Sequence, residues 1–472
     1  MSFVSIQFAV LCLSCLAIYP WLSRRGQNAL ILLTSYLFYG SWDWRFLSLL
    51  AATTLFDFFV VQRIEDARKS GDQRLAKRWL QASLTSNLSV LGFFKYFDFF
   101  VHEAHAVLSG VGFETSAPVL DIVLPVGISF YTFQSISYAV DVYRGDGRAC
   151  RDLLDFATFI AFFPQLVAGP IERANHMLVQ FESPRRTTGA QVQDGLWLIL
   201  IGFFRKVVIS DTAAYFSNSP FAHPDGRSAP TLICAVLLFT VQIYGDFAGY
   251  SDIARGVAKL FGFELMRNFD RPYFSQNVAE FWRRWHISLS TWLRDYLYVP
   301  LGGNRKGAAR TYVNLFITML LGGLWHGASW NFVIWGALHG IYLGIHRALR
   351  PALAALSARG AAWAGALRVG GMLTTFGLVA FTWLFFRSAS FELTRELLVG
   401  LFFGRWEATS LTAVTAVLLA MTLAIDIPQY LAHDDTRLAR LPRLARIPIA
   451  ACMWLLLFSS QNTGEPFIYF QF

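Results

Sequence analysis

The sequence has little charge. Only 15% of its 472 residues are charged, whereas a soluble globular protein carries about a quarter. Its five cysteines are scattered and lack histidines at zinc-finger spacing, which argues against a zinc site or a disulfide framework. Phosphate-binding P-loops, G-x-G-x-x-G turns and G-x-S-x-G elbows are absent as well. These absences turn attention from soluble nucleotide-binding and serine-hydrolase classes to the membrane.

The sequence is rich in apolar and aromatic residues. They make up 55% and 16% of the chain, and the mean hydropathy of +0.43 is typical of a membrane protein. Apolar runs recur along the whole chain and predict an all-α polytopic membrane protein with roughly ten to twelve transmembrane helices. Runs too short to span predict re-entrant or amphipathic helices inside the bundle. We expect one membrane-embedded domain over residues 1–472.

The net charge is +9. Nucleic acid would be one explanation, but the lysines and arginines collect in short loops between apolar runs, as the positive-inside rule predicts. We therefore expect membrane lipids and no nucleic acid among the partners. Some of these cations can also meet an anionic substrate from the cytosol.

The stretch from Glu280 to Gly303, EFWRRWHISLSTWLRDYLYVPLGG, is the first candidate site. Read as one helix, it places Trp282, His286, Leu289 and Leu293 on a common face. It is too charged to cross a bilayer and too apolar to leave it. Two interpretations remain open: an interfacial helix whose arginines reach lipid phosphates, or a cap over a cytosolic cavity whose arginines attract a phosphorylated ligand. Those arginines are Arg283, Arg284 and Arg294.

The second candidate is His326, in LLGGLWHGASW. Its flanks are apolar enough to lie within the membrane, where an ionisable group is a functional-site hypothesis by default. A buried neutral imidazole can act as a general base toward a hydroxyl. The competing interpretation is a structural histidine bonded to a neighbouring carbonyl. His339 and His346, on the following helix, are interpreted as packing or interfacial residues, and no metal site is expected.

These motifs resemble the membrane-bound O-acyltransferase family, and within it the bacterial alginate O-acetyltransferase branch. The resemblance covers essentially the whole chain and is densest over residues 124–340. It rests on LPVGISFYTFQSISYAVDVYRG, FFPQLVAGPIER, the long run from Tyr244 through FWRRWHISLS to Gly303, LLGGLWHGASWNFVIWGALHG, and the closing FIYFQF.

The resemblance implies a helical bundle around a central tunnel and acyl transfer from a thioester. It also implies two catalytic positions, His326 in the W-H-G motif and His286 in the R-R-W-H-I-S motif. For the cytosolic mouth we expect Arg283, Arg284 and Arg294, with Arg305 and Lys306 as further cations. The oxyanion of the reaction would need hydrogen-bond donors. The candidates are Trp325, Ser329, Trp330 and Asn331.

The resulting prediction is a multi-pass O-acyltransferase of the bacterial inner membrane. It would move acetyl groups from cytosolic acetyl-coenzyme A, a substrate and not a bound cofactor, toward an extracellular or periplasmic polysaccharide, as in alginate biosynthesis. A periplasmic polysaccharide-modifying protein is the expected partner. Two alternatives stay open here: D-alanyl transfer from a carrier protein to a cell-wall polymer, and a transporter or channel. We also expect a cavity that reaches His326 from the cytosol, with His286 on the donor side.

Overall fold

The computed structural model describes residues 1–113, 120, 122–167, 169–460 and 467–468. Within these ranges the regular structure is helical and no strand occurs, and four helices are long and apolar enough to cross a membrane: Arg45–Lys69, Ala229–Leu260, Ala361–Arg387 and Leu411–Ala432. The all-α membrane fold is confirmed, whereas the count of ten to twelve spans stays a prediction. The end of the closing FIYFQF motif, residues 469–472, lies outside the described residues.

Contacts divide the chain into two compact units, and the single domain over residues 1–472 stays a prediction. Unit 1 comprises residues 1–192 and 257–266, and unit 2 comprises residues 193–256 and 267–472. The helices in chain order are α1 Ile6–Ile18, α2 Arg24–Asp43, α3 Arg45–Lys69, α4 Gln73–Gly110, α5 Ile128–Arg144, α6 Leu153–Ala161, α7 Phe163–Leu166, α8 Ala174–Glu182, α9 Gly189–Phe203, α10 Asp211–Ala222, α11 Ala229–Leu260, α12 Val278–Arg284, α13 Ile287–Leu293, α14 Ala308–His326, α15 Trp330–Ser357, α16 Ala361–Arg387, α17 Phe391–Phe403, α18 Leu411–Ala432 and α19 Arg443–Ser459.

Unit 1 pairs several of its buried polar groups across helices. In α3, the carboxylate of Asp57 accepts hydrogen bonds from Ser83 and Asn87 of α4. In α6, the carboxylate of Asp155 accepts from Arg24 and Asn28 of α2. Because a polar group buried without a partner costs several kcal/mol in an apolar medium, these pairings hold the helices in one register.

Unit 2 is built around the α14–α15 hairpin, which glycines bring into close contact. A Cβ on Gly323 would lie 2.2 Å from the carbonyl oxygen of Phe332, and one on Gly336 would lie 2.5 Å from that of Met319. Side chains at these positions would force the helices apart, so small residues are needed for this packing. The hairpin carries His326 at the end of α14 and His339 in the middle of α15.

A second feature of unit 2 is a set of buried ion pairs. The π-helical segment Phe204–Ser210 follows α9. Its Lys206 ammonium lies 2.8 Å from carboxylates of both Asp211 and Asp246, and its Arg205 guanidinium lies 2.7 Å from Asp426 of α18. Charges at membrane depth are stabilised by such pairing. We therefore assign these two cations a structural role.

One prediction about local structure is wrong. The stretch from Glu280 is not a single amphipathic helix, because α12 ends at Arg284 and α13 begins at Ile287. Between them, His286 has left-handed backbone angles that interrupt the helix. After α13 the segment Arg294–Tyr298 continues as a π-helical turn. The predicted common face is therefore not formed on one helix. Trp282 belongs to α12, Leu289 and Leu293 belong to α13, and His286 lies between the two helices.

Candidate active site

His286 occupies the break between α12 and α13. Its φ of 41° lies in the left-handed region that side-chain-bearing residues rarely adopt. Asn268 holds the turn: its carbonyl accepts from the Ile287 amide at 2.9 Å, and its side-chain oxygen accepts from the Ser288 hydroxyl at 2.6 Å. The turn leaves the His286 ring fully buried. Its ring centroid is 4.7 Å from that of Phe247.

His326 is the last residue of α14 and is 5% exposed. Aromatic rings surround its imidazole, with centroids 4.9 to 6.5 Å away. The next residue, Gly327, has room only for hydrogen, because a Cβ there would lie 2.2 Å from the Phe332 ring. The glycine of the W-H-G motif thus lets an aromatic ring close over the histidine. The four rings are those of Trp325, Phe332, Trp335 and Phe386.

Trp325 joins the two predicted catalytic histidines. Its ring centroid is 5.9 Å from that of His286 and 4.9 Å from that of His326. Both motif histidines, forty residues apart in sequence, therefore meet in one buried cluster within unit 2. A histidine in such surroundings is shielded from bulk water, as a proton acceptor in acyl transfer must be to avoid wasteful hydrolysis.

The other predicted oxyanion groups are placed elsewhere. Trp330 is 55% exposed, and the Ser329 hydroxyl caps α15 by accepting from the Asn331 amide. The Asn331 side chain donates to the carbonyls of Ser388 and Ser390 and accepts from a threonine hydroxyl. Of the four candidates, Trp325 lies between the two histidines, whereas Asn331 anchors the start of α15.

His339 is a histidine whose neighbours assign its tautomer. The Trp282 indole donates to its Nδ1 at 3.3 Å, and its Nε2 lies 3.1 Å from the Thr382 hydroxyl oxygen. Because Nδ1 accepts, Nε2 carries the proton and donates to that oxygen, whose own proton goes to the Val379 carbonyl. The packing role predicted for His339 agrees with these contacts.

A basic cavity of about 600 Å³ lies beside this cluster, bordered by α12 to α15. Three of its arginines, Arg283, Arg347 and Arg350, have no carboxylate partner among the residues that the structure describes. Arg294 also lines it but is paired with Asp295, whose hydrogen bond raises the pKa of Arg294. A cavity with this excess of positive charge is suited to a polyanionic ligand.

Only some of the basic residues that the sequence predicted for the donor site line this cavity. Arg283 lines it, but the neighbouring Arg284 is engaged by Glu280 at 2.8 Å and by the Asp270 carbonyl at 3.2 Å. Arg305 and Lys306 do not line it. Sequence reasoning missed Arg347 and Arg350, and it interpreted His346, which also lines the cavity, as packing or interfacial. Their only signal was the basic cluster His346–Arg350 at the end of an apolar helix.

The cavity ends before His326. Trp282, Leu293, Thr318 and Met319 line it, whereas neither His326 nor His286 does. This cavity does not itself reach His326, and the expected cavity that does so stays a prediction. Among the described residues, no group of three or more histidines, cysteines or carboxylates is placed to hold a metal ion.

Comparisons with known proteins give this geometry a family. The model of the membrane-bound O-acyltransferase family matches residues 148–385, which include both histidines and all the cavity arginines. The chain belongs to the membrane-bound O-acyltransferase family. It is 40% identical, over 97% of both chains, to a probable alginate O-acetylase of Azotobacter vinelandii.

Two further relatives are named for different acyl-transfer reactions. A peptidoglycan O-acetyltransferase of Helicobacter pylori is 36% identical over 79% of this chain and 73% of its own. A teichoic acid D-alanyltransferase of Streptococcus thermophilus is 31% identical over 47% of this chain and 57% of its own. The chain is thus a membrane-bound enzyme, an O-acetyltransferase.

Proposed function

We propose that the enzyme transfers acetyl groups from cytosolic acetyl-coenzyme A, across the inner membrane, toward an extracellular or periplasmic polysaccharide, with His326 as general base. One observation carries the proposal: a buried histidine in an aromatic cluster lies next to a cavity with three arginines that no described carboxylate neutralises. A phosphate-rich donor fits the cavity, and a dry site suits proton transfer at the cluster.

The chemistry needs few groups. The acceptor hydroxyl attacks the thioester carbonyl, and its proton passes to the imidazole of His326. The tetrahedral oxyanion collapses, the bond from the carbonyl carbon to sulfur breaks, and the imidazolium returns its proton to the departing thiolate. Trp325, whose ring centroid lies 5.9 Å and 4.9 Å from those of the two histidines, is the candidate oxyanion donor that the contacts support.

The relatives support a polysaccharide acceptor. The relative from Azotobacter, matched over nearly the full length, is named a probable alginate O-acetylase, and a polysaccharide-modifying protein outside the membrane would complete delivery. D-alanyl transfer is less supported, because the D-alanyltransferase matches only about half of this chain. A free nucleotide thioester also brings more phosphate charge to the arginines of the cavity than the single phosphate of a carrier protein's phosphopantetheine arm would.

The adjacent Arg283 and Arg284 provide the test. With purified protein and radiolabelled acetyl-coenzyme A, Arg283→Ala should raise the KM for donor by about tenfold, the loss expected for one charge-assisted hydrogen bond to phosphate, with kcat little changed. Arg284→Gln is the matched control, because Arg284 faces Glu280 and not the cavity. Its KM should stay near that of the wild type.

The salt dependence of donor binding shows whether Arg283 acts through its charge or through packing. Raising the ionic strength should weaken donor binding to the wild type more than to Arg283→Ala, since the variant has one fewer cation to screen. Equal KM values in both variants, or a preference for an acylated carrier protein over acetyl-coenzyme A, would reject the donor assignment.

A further inference from the structure

The gap between the basic cavity and His326 is short and follows one helix face. On α14, Thr318 lines the cavity, and Gly322 and His326 follow at intervals of four residues. Residues spaced this way share a face. The distance along the axis from Thr318 to His326 is about 12 Å at 1.5 Å per residue, so an acyl group carried from the cavity to the base must pass Gly322.

Leu293 stands at that point. It is the last residue of α13, it lines the cavity, and it is 5% exposed. Its Cδ1 would lie 3.2 Å from a Cβ placed on Gly322. The missing side chain at Gly322 therefore lets Leu293 lie directly against α14, between the cavity and the histidine.

A second lining residue, Trp282, is held by several contacts. Trp282 lines the cavity, and its ring packs edge-on against Trp335 at 5.7 Å, which in turn packs against His326 at 5.0 Å. His339 holds the Trp282 indole by a hydrogen bond. A leucine side chain can turn aside by changing one staggered rotamer for another, whereas the Trp282 indole is held by its hydrogen bond and by the neighbouring indole. Leu293 is therefore the less constrained of these two lining side chains.

We propose that Leu293, seated on Gly322, is the gate between donor cavity and base, and that it restricts the enzyme to short acyl groups. The proposal rests on the proposed function. When the donor binds, Leu293 turns aside far enough for a small acyl group to reach His326. Each further methylene must displace Leu293 more, and overfilling a packed site is costly.

The test measures kcat/KM for acetyl-, propionyl-, butyryl- and hexanoyl-coenzyme A with purified enzyme. The wild type should lose about tenfold per added methylene, the discrimination that a close-fitting apolar site achieves. Leu293→Ala should raise the butyryl-to-acetyl ratio by about tenfold or more. Gly322→Ala should lower it, because its Cβ pushes Leu293 further into the path.

Leu289→Ala is the matched control. Leu289 lies one turn earlier on α13, is equally buried and does not line the cavity. It should lose stability as Leu293→Ala does, and keep the wild-type ratio. If Leu293→Ala fails to fold, Leu293→Val gives the same comparison with less volume removed.

The outcomes separate the gate from the proposed function. An unchanged ratio in a folded Leu293 variant that still uses acetyl-coenzyme A, or a wild type that accepts butyryl and acetyl groups equally, overturns the gate and leaves the function standing. A wild type that transfers nothing from any acyl-coenzyme A rejects the proposed function instead.

Discussion

His326 and His339 lie on adjacent helices and pack against the same ring, yet their surroundings differ. Both are almost fully buried, and their centroids are 5.0 and 4.7 Å from that of Trp335. His339 has a tryptophan donor on one nitrogen and a threonine hydroxyl on the other. His326 instead ends its helix among aromatic rings, beside a glycine.

The difference bears on which of the two histidines is suited to act as a base. For His339 to accept a proton at Nδ1, the Trp282 indole would have to give up its acceptor, and a buried group that loses its partner costs about 1–3 kcal/mol. Burial alone therefore does not mark a catalytic histidine. The position at a helix end, close to a basic cavity, separates His326 from a histidine that holds a wall in place.

The largest expected effect comes from replacing His326. His326→Gln keeps a hydrogen-bonding side chain but cannot accept a proton at neutral pH, so acetyl transfer should fall by about 10²–10⁴-fold. Donor binding should persist, because the cavity arginines are untouched. Single-turnover transfer and equilibrium binding of acetyl-coenzyme A measure the two separately. A well-folded variant with near-wild-type turnover would refute the role of His326 as base.

An effect of intermediate size is expected from removing the hydrogen-bond partner of His339. Thr382→Val preserves shape but removes the oxygen that accepts from Nε2, which should cost about 1–3 kcal/mol of stability while turnover stays within a few-fold of the wild type. Thermal unfolding in detergent and kcat are measured on the same sample. Thr375→Val on the same helix is the control. Turnover falling a hundredfold in a folded Thr382→Val protein would place His339 in the chemistry.

The sequence was most informative where the site is contiguous. The stretch around His326 carries the proposed base, the neighbouring tryptophan and the glycine as three consecutive residues, so the family motif located the aromatic cluster before any contact was known. The apolar runs near 311–321, 328–347 and 369–386 likewise predicted α14, α15 and α16. The short helices α10 and α17 were not predicted, because at 12 and 13 residues they are too short to stand out as membrane-spanning runs.

The break at His286 and the set of arginines in the cavity could not be predicted, because both depend on residues that are distant in sequence. The helical pattern continues through His286, and the break there is held by Asn268, eighteen residues earlier. Arg283 and Arg284 are adjacent and chemically equal, but only the fold gives one to the cavity and the other to Glu280. Arg350 joins Arg283 only when α15 packs beside α12.

A third histidine, His176 of unit 1, extends the comparison to a position outside the membrane-spanning helices and gives the smallest effect. About half of its side chain is exposed, and its Nδ1 lies 2.8 Å from the carboxylate of Glu172. That hydrogen bond raises the pKa of His176 above its ordinary value of 6.5. Because the folded pKa exceeds the unfolded one, the pair stabilises fully below about pH 6.5 and the gain is lost as pH rises through the raised value.

Solvent screening limits this contribution to less than about 1 kcal/mol, or roughly 1–2 °C in Tm. His176→Gln should remove the difference: its Tm should lie below that of the wild type at pH 5.5 and converge with it at pH 8.5, while kcat is unchanged. Subtracting the two pH profiles cancels the groups that titrate in both proteins. Because Glu172 also accepts from the Met266 amide at 2.6 Å, the carboxylate stays in place in the variant. A gap between the two Tm values that widens with rising pH would mean that His176 acts through packing and not through its charge.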